Sequence, residues 1–338
     1  EHKNIRNNQY ELKSVFYLLS KIADNYHRDQ YFNQKINQIL LHYKDQIKQT
    51  LSNFEIFHLF ENNKNIILFL LKNDILAITE QIYKEILNKK EPNEIQYWHF
   101  FIPEIENFIG VNKIEFNLAK NELLKSNSNF FDNYEEKRQE GENDSYICSL
   151  IRKDSIEEFI IYLNLHNISP SSQISPSIFE TNQFLNENKN ITMIEYSAFF
   201  GSIRIFNYLL MNNAELTSSL WLYAIHSNNA ELIDLLESNK VSPPSNDELN
   251  YIQCLIESIK CHHNNIADFI TTNYFGEEKE KEEEEEIVSN CFKYYNYSYI
   301  QIESTIKHGF FYLSFYHYDK LFQLLWEKKK NVIEKKII

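Results

Sequence analysis

Glycine and proline are scarce in this chain, at 5 and 6 residues among 338. Tight β-turns draw on both, so a β-sandwich or β-barrel is disfavoured and helix is left as the main element. Cysteine is scarce too. Cys148, Cys254, Cys261 and Cys291 show no C-x-x-C spacing and no dense framework, which argues against a disulfide scaffold and for reduced thiols in a cytoplasmic or nuclear protein. Positive charge is outnumbered, 34 Lys and Arg against 48 Asp and Glu, for a net charge of −14. Nucleic acid needs a basic stripe to neutralise its phosphates, and an anionic membrane surface makes the same demand; neither demand is met. The field favours a basic protein as partner. The longest apolar run, Ile66–Leu71, is too short to span a bilayer. Residues Glu1–Asn8 hold no apolar signal segment, and whether a targeting segment lies upstream of Glu1 stays open.

What is present is apolar and aromatic material: 43% hydrophobic residues, with 25 Phe and 22 Tyr, enough to bury a sizeable core. Abundant Asn, Ile and Lys match an AT-rich coding bias, and Asn then stands at helix ends where Gly is otherwise common. The most informative stretch is Thr192–Leu216. It combines the small pair Ser197-Ala198, a break at Gly201, the apolar stripe Ile205-Phe206 with Leu209-Leu210, and a close at Asn213-Ala214-Glu215. This is the layout of two short helices joined by a turn, a unit that must stack on a neighbour to bury its apolar face.

With Ile205/Phe206/Leu209 as a ruler, the stripe recurs at Leu232/Ile233/Leu236, at Ile266/Ala267/Ile270 and at Leu321/Phe322/Leu325. The last interval, 55 residues, exceeds a unit of about 33 by roughly 22. An insertion is expected there, at the acidic run Phe275–Glu286. Upstream, Phe159 precedes Phe206 by one unit plus about 14 residues, an excess matched by Ile168–Glu180 with its helix-breaking Pro170 and Pro176. Ser155 and Glu158 form a capping box that opens a helix, and Gly201 and Asn228 are the residue types suited to left-handed turns. Toward the N-terminus, Leu12, Val15, Leu19, Ile22 and Tyr26 share one helical face, as do Phe32, Ile36, Ile39, Leu40, Tyr43 and Ile47. Leu59–Asn73 again reads as a turn and a second helix, which extends the repeats in degenerate form back to about Phe54. Ser126–Asn129 and Asp132–Ser145 read as a linker or long loop.

Thr192–Leu216 resembles an ankyrin repeat, lying without a gap under T-P-L-H-x-A-A-x-x-G-H-x-E-I-V-x-x-L-L-x-x-G-A-D. It departs at Met193 and Glu195, which stand for the Pro and His of the opening, so the inter-repeat hydrogen bonds of that His are missing from the pattern. The combination of Ile56–Leu71, Phe100–Ile105, Glu140–Phe159 and Ile194–Leu210 is similar to a large family of intracellular ankyrin proteins of parasitic protists, over roughly Phe54–Lys330. The resemblance implies an all-α, ankyrin-type helical solenoid preceded by degenerate helical repeats. It also implies two parts: residues 1–130, helical, and residues 146–338, a repeat array with the acidic insertion at 275–286. In ankyrin stacks the first helices line a concave binding face. The register places Tyr196, Phe199, Tyr223, His226, Glu257 and Lys260 at outward positions there, with aromatics of the type expected at hot spots; the alternative for Phe199 is packing against a neighbouring unit.

The expected function is a non-catalytic protein–protein interaction scaffold with no cofactor and no metal. Cys261-His262-His263 is the best metal-ligand run by type, but three adjacent residues project in different directions, and the register makes them a turn. Trp98–Phe101 with Pro103-Glu104 reads as core at a helix end. The Glu282–Glu286 run reads as a solvated loop or helix, since it lacks the spaced carboxylates and Gly of a calcium loop. No G-x-S-x-G, P-loop, G-x-G-x-x-G or H-E-x-x-H occurs. Two alternatives remain: an enzyme with an unrecognised site before Ser145, drawing on His99 and Glu104, or a self-associating module, suggested by the apolar ending of the sequence.

Overall fold

The computed structural model describes residues 9–25, 30–90, 95–110, 114–126, 130–244, 251–275 and 281–299. Among them are 19 α-helices and no strand. Two isolated bridges pair Lys90 with Gln96 and Gln173 with Thr192. No described helix is long and apolar enough to cross a membrane. Two compact units result, one of residues 1–153, 157–168 and 172–193, the other of 154–156, 169–171 and 194–338.

The helices of the first unit are α1 (Gln9–Asn25), α2 (Gln30–His42), α3 (Lys44–Thr50), α4 (Asn53–Phe60), α5 (Lys64–Lys72), α6 (Glu80–Asn88), α7 (Ile102–Ile109), α8 (Ile114–Ser126), α9 (Tyr134–Glu140), α10 (Tyr146–Arg152), α11 (Ile156–His166) and α12 (Gln183–Glu187). Helical periodicity selects the buried residues. Leu12, Leu19, Ile36, Leu40 and Ile47 are buried, and Val15, Ile22, Ile39 and Tyr43 pack half-buried against them; Tyr26 lies outside the described residues. Each fully buried aliphatic or aromatic side chain contributes about 1.5–3 kcal/mol. Local chemistry sets the ends. Ser52 and Glu55 close a capping box on α4, the main-chain N–H of each donating to the other's side chain. Asn63 caps α5 through Ile66 N–H at 3.1 Å.

Residues 132–145, expected as a linker, are instead part of this unit. Tyr134–Glu140 is a helix that buries Tyr134 and Arg138. Gly141 ends it at φ +68°, and its carbonyl accepts from both the main-chain N–H and the hydroxyl of Thr181. A Cβ at Gly141 would meet the Asn65 amide and lie 2.9 Å from the Thr181 hydroxyl. The chain passes finally from the first unit to the second at Met193/Ile194, with 154–156 and 169–171 already in the second. Residues 127–129 lie outside the described set.

The second unit holds α13 (Met193–Phe200), α14 (Ile203–Met211), α15 (Leu220–Ser227), α16 (Ala230–Ser238), α17 (Ile252–Lys260), α18 (Asn264–Tyr274) and α19 (Lys281–Lys293). The stripe residues Ile205, Phe206, Leu209, Leu232, Ile233, Leu236, Ile266, Ala267 and Ile270 are all buried. Helix α15 packs on α16 and on α17, and α17 packs on α18 and on α19. The turns after α13, α15, α17 and α19 carry positive φ at Gly201, Asn228, His262 and Tyr295, spaced 27, 34 and 33 residues apart. At three of them the next N–H reaches back five residues, from Ser202 to Ser197, His263 to Ser258 and Asn296 to Cys291, each at 2.9 Å. These bonds satisfy carbonyls that the helix end leaves open. The second helices end alike, with Ala214 N–H on Leu209 O and Val241 N–H on Leu236 O at 3.0 Å.

The described part of the acidic run beyond Phe275 is helical. Lys281–Glu286 form the first turns of α19, whose far half buries Ile287, Val288, Cys291 and Phe292. Carboxylates at a helix N-terminus meet the positive end of the helix dipole, so the acidic composition suits this place. Residues 276–280 and Leu321/Phe322/Leu325 lie outside the described residues.

Candidate functional site

The six residues expected on an outward face divide into two groups. Tyr196, Phe199 and Tyr223 are buried and correct the expectation. Every residue of α13 from Met193 to Phe199 is buried, so this helix has no outward side up to that point. A helix buried on every side is a core helix, and its two polar residues, Glu195 and Ser197, are buried with the rest. Tyr196 packs on Phe200 with ring centroids 4.7 Å apart, and Phe199 lies 5.1 Å from the His226 ring. Burial, with the charge of Glu195 adding to it, pushes the Tyr223 phenol up.

Glu195 explains how the hairpins join without the expected histidine. It is buried, and its carboxylate accepts from the hydroxyls of Thr217 at 3.2 Å and Ser219 at 2.5 Å, immediately before α15. Bonds to a charged acceptor are stronger than neutral ones, so a carboxylate ties one hairpin to the next where the sequence pattern shows a gap.

His226, Glu257 and Lys260 do come together. His226 sits in the last turn of α15, and Glu257 and Lys260 in the last turns of α17. His226 Nε2 is 2.7 Å from Glu257 Oε1, and Lys260 Nζ donates to the same oxygen at 3.0 Å. Burial alone would raise the Glu257 carboxyl. Hydrogen bonds and charge from His226 and then Lys260 outweigh it and hold the group down at about 2. The Lys260 ammonium is opposed by burial and raised by its pairing with Glu257. These side chains leave little surface: 7% of His226, 13% of Glu257 and 24% of Lys260 is exposed.

Cys261 joins this cluster. Its Sγ lies 3.6 Å from His226 Nδ1 and 3.8 Å from Nε2. The histidines next to it do not. His263 Nδ1–H donates to Ile225 O at 2.7 Å and His262 Nε2–H to Tyr294 O at 2.8 Å, as turn residues. Sequence spacing missed the convergence because His226 stands 31 and 35 residues from its two partners. Register arithmetic was the one signal able to find it, since all three residues lie at the ends of first helices.

In the first unit, His99 and Glu104 have separate roles. Burial holds His99 down at about 4, its ring against Trp98 and Phe130. Glu104 pairs at 2.7 Å with Arg138, a fully buried guanidinium stacked over Phe100 and Tyr134. A cleft of 580 Å³ lies beside them, lined by Glu106, Lys120, Phe131 and Tyr134 among others. Lys120 pairs with Glu106 and sits 5.2 Å over the Phe131 ring. Comparison of the chain with family models, with curated proteins and with solved structures returns no match.

Proposed function

We propose that the chain is an ankyrin-type repeat protein acting inside the cell, in the cytoplasm or nucleus, as a non-catalytic scaffold that binds a basic protein partner through its first-helix face. The observation that carries this reading is the recurrence of one hairpin: positive φ at Gly201, Asn228, His262 and Tyr295, with a buried apolar stripe on each second helix from α14 to α18. Units of this kind bury their cores against one another and leave a surface for recognition, which here falls on α17 and not on the buried α13. On α17 that surface is set by what stays buried. Cys254, Leu255, Ser258 and Ile259 face inward, while Gln253 is exposed and Ile256 and Lys260 are partly so. The net charge of −14 favours a basic partner.

A Gln253→Arg/Ile256→Arg chain tests the surface. Proximity labelling in the source cells should lose the partner recovered with the native chain, while circular dichroism and melting stay native. Full recovery by the variant would rule out this face as the contact.

A further inference from the structure

We infer that His226, Glu257 and Cys261 form a binding site for one zinc-type divalent cation, a property independent of any protein partner. The cluster offers an imidazole nitrogen, a carboxylate oxygen and a sulfur, all within 4.8 Å of one another. That is a donor set of the kind zinc takes in three-ligand sites with an open fourth position. Calcium and magnesium need six or more oxygens and do not suit it.

The donors converge, and a turn of the imidazole brings them to the required geometry. With zinc bonds of about 2.0–2.1 Å to nitrogen or oxygen and about 2.3 Å to sulfur, tetrahedral angles put donor atoms about 3.3–3.6 Å apart. His226 Nε2 and Cys261 Sγ stand 3.8 Å apart, but Sγ is nearer Nδ1, at 3.6 Å, so the ring has to turn before Nε2 and the sulfur share one metal. His226 Nε2 and Glu257 Oε1, at 2.7 Å, need only open by about half an ångström. Glu257 and Cys261 are four residues apart at the end of α17 and share a face, and α15, which carries His226, packs on that helix. The site is thus held by helix packing.

The charges balance. Binding expels the Cys261 S–H proton to water, and the imidazole carries its N–H proton on Nδ1, leaving the Nε2 lone pair for the metal. Thiolate and carboxylate then neutralise the two positive charges, and water takes the fourth position from the side where Glu257 is exposed. Lys260 is the built-in competitor. Its ammonium occupies the Glu257 carboxylate at 3.0 Å, and with 24% of the side chain exposed it has a path outward when a metal arrives.

Cobalt(II) titration of the reduced full-length chain is the test. The expected result is tetrahedral d–d absorption with a sulfur-to-cobalt charge-transfer band, saturating at one equivalent and displaced by zinc. Cys261→Ser should abolish the sulfur band and weaken binding by about 100-fold or more, while its melting shows that the fold persists. Lys260→Met, which leaves the three donors untouched, should tighten binding. No saturable absorption at one equivalent, a sulfur band that survives Cys261→Ser, or weaker binding by Lys260→Met would each overturn the assignment.

Discussion

Replacing Glu180 by Gln should remove a pH dependence from the folding of the first unit. The two carboxylate oxygens of Glu180 accept main-chain N–H bonds from Asn182 at 2.9 Å and Asn143 at 3.2 Å. Burial pushes this carboxyl up to about 7, against an ordinary value of 4.5. The charge of Glu142 adds to the rise, while the two N–H bonds and the nearby Lys64 ammonium oppose it. The folded chain therefore holds the proton more tightly than the unfolded one. The stability contributed is complete below pH 4.5 and is lost as pH rises to about 7. At about 1.36 kcal/mol per pH unit, the full loss is about 3 kcal/mol. In Glu180→Gln one acceptor becomes an NH₂ facing an N–H, which costs about 1–3 kcal/mol at every pH but does not titrate. Urea unfolding followed by circular dichroism near pH 5 and pH 8 should show the native chain losing about 2–3 kcal/mol relative to the variant. Identical pH profiles for the two chains would refute the reasoning.

Three further outcomes are expected. Phe199→Ala should lower stability by about 3–5 kcal/mol, seen as a fall in melting temperature, because it hollows a core and does not trim a surface. Glu195→Ala should cost about 1.5–3 kcal/mol by removing a charged acceptor from two hydroxyls, and hydrogen exchange at residues 217–227 should rise first. Gly141→Ala should cost about 1–3 kcal/mol, seen as a lower melting temperature, from its left-handed backbone and the crowding at Asn65. Gly110→Ala should cost about as much from backbone alone, since φ +58° with ψ −149° is open essentially to glycine only and nothing lies within 4 Å of its added Cβ.

Periodicity and turn chemistry made much of the helical pattern legible. The stripe from Ile205 to Ile270 is buried where spacing put it, because which face of a helix is apolar is a local property. Long-range partnerships were not legible. Arg138, Lys64 and Glu180 are ionisable and buried; composition reads such residues as solvent-facing, and only their partners, far away in sequence, reverse that. Tyr196 and Tyr223 were misplaced for a related reason. An aromatic on a first helix fits a binding face and a core equally well by type, and the decision rests on the neighbour packed over it. The cluster of His226 with Glu257 and Cys261 depends on two helices meeting at their ends, which spacing along one helix does not encode.

Ten described residues other than glycine hold a positive φ, against three glycines. Seven of the ten are Asn or Asp, whose short polar side chains tolerate that conformation. Lys240, His262 and Tyr295 are different: a longer side chain in the left-handed well carries about 1–2 kcal/mol of steric cost, only partly cancelled by the extra freedom a glycine would add to the unfolded chain. Lys240→Gly would release that cost at the end of α16, whereas His262→Gly would also give up the ring's bond to Tyr294 O, and Tyr295→Gly its contact with the Tyr297 ring.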